Sequence, residues 1–457
     1  MGTAGITRAL ARFVTSTRQE DLPPDVMELA KMCFLDWLGC ALIGSTTETG
    51  HIFFGLAREL GGAAEATIVG GAKTSSLNAA LVNGATSHEL EFDDVHRASI
   101  SHPGAPVIPA ALAAAERMGA SGAEFLASIV VGYDVALRIG EGVNPSHYRF
   151  WHTTGTCGTF GAAAAAGRLL GLDEGPMLDA LGNAGSQAAG LWEFVADGAM
   201  TKVLHTGKAA MNGLLAALLA VRGFSGATRI LEGERGFFKA TSLEEDVGGI
   251  TSGLGSHYKI REVGIKAFPC CGHTHTTVTA ALDLANAQGL AVDRVQGMKI
   301  RTYSTAIRVA GNTNPKTPRE AKFSLPYCAM AAMRYRKVGL DQFAPAVVAD
   351  ESMRELLDRV ELVVDTELEA AYPAKCPAIV EVQTTGGEFF AARADSAPGD
   401  PETPMDRGQQ LAKFRDLAAT ALAPDRIEQI IAQAAGLHMV EDMRDITHLF
   451  QERASAS

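Results

Sequence analysis

The sequence predicts a mainly α protein: one large all-helical domain built from both ends of the chain, with a smaller α+β domain inserted into it. Three observations carry this. Apolar residues recur at helical spacing from Thr7 to about Ser256. Alternating, β-branched segments begin only after about Val263. Helical patterning then returns near Gly408 and runs, with interruptions, to Glu452. The expected boundaries are 1–262 for the first helical part, 263–396 for the insert and 397–457 for the return.

Each element has its own signal. Val26, Ala30, Cys33 and Trp37 fall on one helical face, widened by Phe34 and Leu38. Ser75–Glu91 and Pro109–Met118 repeat that spacing. Gly161–Gly167 and the run from Gly207 through Ala210 are dense in Gly and Ala, so these helices should approach closely in a tight bundle. No G-x-G-x-x-G or G-K-[ST] pattern follows a strand, which argues against nucleotide binding. In the insert, Met298–Tyr303, Val360–Asp365 and Ile379–Thr384 alternate as strands, and Gly386-Gly387 marks a hairpin turn before Glu388–Arg393. Thr276–Ala287 and Lys322–Tyr335 read as helices between them. Ser396–Pro404, rich in Pro and Gly, breaks regular structure.

Composition narrows the function. With 457 residues the chain exceeds one simple core. Its net charge of −12 argues against nucleic acid, whose binders need a basic face. An anionic substrate would need a local cluster of cations. Seven cysteines without paired spacing fit a reducing, cytoplasmic setting. Met1–Thr15 lacks the apolar core of a secretory signal, and Ile6 stands where myristoylation wants Ser or Thr. The greasiest run, Ala209–Val221, is shorter than a bilayer span of roughly 20 residues, so no membrane is expected.

Chemistry concentrates between His88 and Pro103. This segment holds Glu89, Glu91, Asp93 and Asp94, the imidazoles of His88, His96 and His102, and Arg97. Moving a proton on and off carbon needs a carboxylate or imidazole as base and a second group as acid. A solvated helix end and a polar turn would carry similar charge, but seldom with three histidines and a closing His-Pro. Four further segments gather polar groups among small residues. His152 precedes an Ala/Gly helix, whose N-terminus suits a carboxylate or is simply capped by the imidazole. Lys202, His205 and Lys208 lie together, where a lysine either snorkels to water or pairs with an anion. Lys266–His275 crowds Cys270, Cys271, His273 and His275 into one loop. One loop rarely wraps a tetrahedral zinc, so no metal is expected; Lys266 and a histidine, taken as His275, are expected in the domain cleft. Glu320–Tyr327 offers Lys322, Ser324 and Tyr327, although a phenol on an apolar helix is commonly a core residue.

Taken together, these motifs resemble the MmgE/PrpD family of 2-methylcitrate dehydratases, cis-aconitate decarboxylases and iminodisuccinate epimerases. The resemblance rests on His88–Asp94 with His102-Pro103, Thr201-Lys202 with Leu204–Gly207, Lys266 with Phe268–Cys270, and Glu320–Ser324. It spans nearly the whole chain. It implies that the insert is a lid, that the protein is a homodimer, and that the site lies between the domains without metal or organic cofactor. It implies Asp93, Asp94, His102, Lys202 and Tyr327 as catalytic groups and Glu91, His152 and Lys266 as substrate contacts, which His96, Arg97 and His275 are expected to join. The substrate would be a small di- or tricarboxylate. Departures bear on the reaction. Glu91 stands where the family's decarboxylases have Asp, Val95 where they have Thr, and Cys271 where they tend to have His; the spacing from Asp94 to His102 is also one residue longer. Val95 cannot donate a hydrogen bond, which counts against decarboxylation as those relatives perform it; a hydro-lyase is the leading expectation, with a decarboxylase or an epimerase as alternatives. The remaining alternative is a non-catalytic polycarboxylate-binding homologue.

Overall fold

A computed structural model describes residues 5–243, 247–287 and 289–451. The expected helical stretch to Glu452 therefore ends one residue outside the described chain. The fold is mainly α and divides into two units. The first comprises Met1–Glu89, Asp93–Val263 and Asp406–Ser457; the second comprises Leu90–Phe92 and Gly264–Met405.

The first unit is helical. Its longer helices are α1 (Ile6–Ser16), α2 (Pro24–Ser45), α3 (Glu48–Leu60), α4 (Ser76–His88), α5 (Gly104–Met118), α6 (Gly122–Val143), α7 (Thr153–Leu169), α8 (Glu174–Gly185) and α9 (Thr201–Val221). Local chemistry sets their ends. The Ser75 hydroxyl accepts from Asn78 N–H to start α4, and Ser121 with Glu124 forms a reciprocal capping box on α6. Gly119 closes α5 in the left-handed conformation. α4 stops at His88, short of the Glu91 that periodicity suggested, because Glu91 itself takes a left-handed backbone (φ 55°).

The small residues do what their density predicted. A Cβ on Gly207 of α9 would lie 2.5 Å from the Leu81 carbonyl oxygen of α4, and one on Gly84 would lie 3.0 Å from the Gly207 Cα. Only glycine permits this approach, and the Thr206 hydroxyl uses it to donate to the Gly84 carbonyl at 2.7 Å. α9 is long and apolar enough to cross a membrane by composition, but 67% of its apolar window is buried within the fold. Phe34 of α2 packs edge-on against Phe125 of α6 with ring centres 5.3 Å apart.

The second unit is built on a four-stranded sheet. Its strands are β1 (Val295–Thr302), β2 (Val360–Val364), β3 (Ala378–Thr384) and β4 (Phe389–Ala394), in the order β2-β1-β3-β4. β1 pairs parallel with β2 (Ile300 opposite Leu362) and antiparallel with β3 (Ile300 opposite Val380). The Gly386-Gly387 hairpin joins β3 to β4, with Gly387 at φ 79°. Val380 and Val382 are buried on one face, against which α10 (His275–Leu282) packs beside α11 (Leu325–Tyr335). The helix expected over Lys322–Tyr335 is broken in two. Ser324 is extended and its hydroxyl accepts from Tyr327 N–H, so α11 starts afresh with Pro326 in its first turn. The second unit runs on to Met405, past the boundary expected at 396.

The chain then returns to the first unit through α12 (Arg407–Ala418) and α13 (Pro424–Ala435). Lys413 of α12 pairs with Asp36 of α2 at 2.6 Å, both buried, and Thr447 donates to Glu116 of α5 at 2.8 Å. Both ends of the chain thus build one helical body.

The α4–α9 contact makes Gly207→Ala a direct test of this packing. The added methyl meets backbone that cannot rotate away, so the variant should lose about 1–3 kcal/mol, the usual cost of overpacking. A urea midpoint equal to the wild type would show that the helices are not in close approach.

Candidate active site

The loop between α4 and α5 is held by buried carboxylates. His88 Nδ1 lies 2.7 Å from Asp93 Oδ2, and both side chains are essentially inaccessible. Asp94 accepts from the Tyr133 hydroxyl of α6 at 2.6 Å and from Gly104 N–H at 3.0 Å. A Cβ at Gly104 would sit 2.8 Å from the Tyr133 oxygen, so glycine is what lets α5 begin against this carboxyl. Burial first, and the neighbouring Asp93 second, push the Asp94 carboxyl up to about 8. His102 stands in the loop just before Pro103, outside any helix or strand. Its Nδ1 is 2.7 Å from the Asp94 main-chain oxygen and its N–H donates to Thr154 at 3.1 Å. The Asp93 carboxylate is 4.0 Å from that nitrogen, too far for a hydrogen bond. Ile100, in the same loop, has φ 50°, a costly conformation for a β-branched residue.

Two helices complete the group. His152 occupies the N-cap of α7 and is buried, and α9 turns Lys202 and His205 inward from one face, three residues apart. His152 and His205 meet through their Nδ1 atoms at 3.3 Å. The His88 ring lies 4.8 Å from that of His102 and 5.7 Å from that of His152, centre to centre. Burial holds His152 well below the usual imidazole range, and the Lys202 ammonium lowers it further. Burial and Lys202 likewise bring His205 down to about 4. At neutral pH both rings are therefore uncharged. The helical unit gathers four imidazoles, one ammonium and two carboxyls in a desolvated pocket of side chains.

Sequence reasoning had named Asp93, Asp94, His102, His152 and Lys202 from this group. His88 and His205, present in the same motifs, were given no site role. His205 carried a signal, the i, i+3 spacing from Lys202; His88 carried only its place in the acidic segment.

The other expected site residues have partners of their own. His96 holds a turn: Ser99 N–H donates to its Nδ1 at 3.2 Å, so Nε2 carries the proton and faces Glu262 at 3.3 Å. Lys259 joins that cluster, 2.9 Å from Glu141. Arg97 is half-buried. In the second unit, buried Lys266 donates to the Glu91 carbonyl at 3.0 Å and lies 3.4 Å from its carboxylate, while Lys322 donates to the Leu90 carbonyl at 3.0 Å. These two lysines tie Leu90–Phe92 into that unit. His275 donates from Nε2 to the Cys270 carbonyl at 3.2 Å, and the Thr274 hydroxyl donates to the Cys270 sulfur at 3.1 Å. Tyr327, expected among the catalytic groups, lies on α11. It is fully buried in the apolar core of the second unit beside Phe343, its hydroxyl donates to the Gln342 carbonyl, and burial raises its pKa further.

Comparison with known proteins agrees with this arrangement of motifs. Residues 8–249 match the MmgE/PrpD N-terminal domain and residues 268–437 the MmgE/PrpD C-terminal domain, so the chain belongs to the MmgE/PrpD family. Among its relatives are the cis-aconitate decarboxylase of Aspergillus terreus, 27% identical with 98% of this chain and 96% of the relative covered, and that of Homo sapiens, 28% identical with 98% and 94% covered. The cis-aconitate decarboxylase-like protein oryM of Aspergillus oryzae is 27% identical, with 97% of each chain covered.

The raised Asp94 pKa has a consequence for stability. The folded carboxyl binds its proton more tightly than an unfolded one near 3.8. Its contribution is therefore full below about pH 4 and is lost as pH rises through about 8. Urea midpoints should fall for the wild type relative to Asp94→Asn between about pH 5 and pH 8. Parallel curves would mean that Asp94 ionises like an ordinary carboxylate.

Proposed function

We propose that this protein is a lyase, independent of any cofactor, that moves a proton at the carbon next to a carboxylate of a small polycarboxylate. The observation that carries the reading is Lys202, 6% exposed, set among imidazoles that burial keeps uncharged. Loss of a proton beside a carboxylate places charge on its oxygens. A desolvated ammonium lowers the energy of that charge, and a neutral imidazole can take the proton. Lys202 would hold the substrate carboxylate, with His102 exchanging the proton and His152 and His205 positioned for the leaving or returning group.

Among such reactions the first reading is hydro-lyase action on a 2-methylcitrate-like hydroxy polycarboxylate. An elimination needs both a base and an acid, and the cluster supplies several imidazoles for the two roles. Val95 supports it, since the hydroxyl that decarboxylases of the family have there is missing. The second reading is decarboxylation of a cis-aconitate-like acid, favoured by the activity named for the relatives at 27–28% identity.

One experiment separates these readings. Purified protein is offered 2-methylcitrate, citrate, cis-aconitate and iminodisuccinate in turn. Ultraviolet absorbance of a new carbon–carbon double bond marks dehydration, and release of carbon dioxide marks decarboxylation. Binding of these acids without turnover of any would leave a polycarboxylate-binding homologue instead. Whichever acid reacts, Lys202→Ala should lose on the order of 10²-fold in kcat/KM. His102→Ala should lose a similar factor together with solvent deuterium exchange at the α-carbon. An unchanged kcat/KM in Lys202→Ala removes the lysine from the site.

A further inference from the structure

We propose that Tyr133 is a positioning residue which, through Asp94, holds His102 as the Nδ1–H imidazole and so presents Nε2 as the proton acceptor. The inference rests on the proton-transfer reading above and assigns the direction of transfer that it leaves open.

The argument begins with what each atom can do. A main-chain carbonyl only accepts, so the 2.7 Å contact from His102 Nδ1 to the Asp94 oxygen requires the hydrogen on Nδ1. In a neutral ring the lone pair is then on Nε2. Free histidine prefers the opposite tautomer, with hydrogen on Nε2, so this one persists only where a fixed acceptor holds it. Asp93 does not supply that acceptor. Its Oδ2 is 2.7 Å from His88 and 4.0 Å from His102.

The carbonyl of Asp94 is useful only if residue 94 cannot turn. Two bonds to its side chain prevent that. Tyr133 donates from the middle of α6 at 2.6 Å, and Gly104 donates from the start of α5 at 3.0 Å. All three residues are buried, and a Cβ at Gly104 would lie 2.8 Å from the Tyr133 oxygen and 3.0 Å from the Asp94 carboxyl, so there is no slack between phenol and carboxyl. The main chain of His102 is anchored as well, because its backbone N–H donates to the Thr154 hydroxyl of α7 at 3.1 Å. The His102 side chain retains 12% exposure while the anchors retain almost none, so the ring is the part of the assembly that a small molecule can reach. In this arrangement Asp94 never exchanges a proton with substrate. It transmits the rigidity of α6 to a loop whose backbone is otherwise strained at Ile100.

The test reads the ring directly. Protein labelled with 15N in histidine gives imidazole nitrogen shifts, and the His102 signals are assigned by their loss in His102→Gln. The wild type should show a protonated Nδ1 and a bare Nε2 at neutral pH. Tyr133→Phe keeps the ring volume and removes one anchor. It should shift His102 toward the Nε2–H form and lower kcat about tenfold or more at little-changed KM, as loss of alignment does. A wild-type His102 that is protonated on Nε2, or on both nitrogens, overturns the proposal whether or not the variant folds. An unchanged tautomer and kcat in Tyr133→Phe overturns it too. If no polycarboxylate is turned over, the functional reading fails by itself, since the tautomer is measured without substrate.

Discussion

The close approach of α4 and α9 is the constraint on which the polar centre of the helical unit depends. Gly84 and Gly207 bring the two backbones together, and the Thr206 hydroxyl bonds the Gly84 carbonyl across the gap. His88 lies one turn beyond Gly84, and Lys202 and His205 lie just before Gly207. The contact therefore delivers the end of one helix and the start of the other to a single place. α7, also rich in Ala and Gly, brings His152 to the same point. Larger residues at these positions would separate the imidazoles by the width of a side chain, and the lowering of His152 by Lys202 and His205 would weaken with distance.

Desolvation then sets the chemistry. The same burial pushes Asp94 up to about 8 and His205 down to about 4, so both groups move toward the uncharged form. Among the charges that act on His152 and His205, that of Lys202 has the largest effect. Lys202 is thus a buried cation inside a chain whose net charge is −12.

Much of the fold was legible in the sequence because packing and periodicity agree there. α2 follows the spacing of Val26, Ala30, Cys33 and Trp37, and β1 and β3 follow their alternation. The Gly386-Gly387 turn was legible for a local reason, the φ of 79° at Gly387. What could not be read was where backbone leaves its periodic path. Glu91 is left-handed, so α4 ends early and Leu90–Phe92 joins the second unit, held by Lys266 and Lys322. No pattern of side chains announces that. Tyr327 shows the other limit. A phenol at a helical core position has the same spacing whether it donates to a substrate or to the Gln342 carbonyl, and only the neighbouring loop decides.

The acidic balance of the chain and its reading as an anion-handling protein are compatible because screening acts unequally. Surface carboxylates are screened over about 8 Å at physiological ionic strength, and pairs exposed to water contribute little at longer range. Lys202, at 6% exposure, is not screened in that way, nor are the helix N-terminus at Thr153 and the dipole behind it. An anion approaching the molecule meets a weak repulsion that dies away with salt, and then a short-range attraction that does not. Association should therefore quicken as salt is added, while the affinity of the bound state, fixed by contacts already out of water, changes less. Under the proposed reading, the surface field that slows entry of a multiply charged acid also speeds departure of an anionic product.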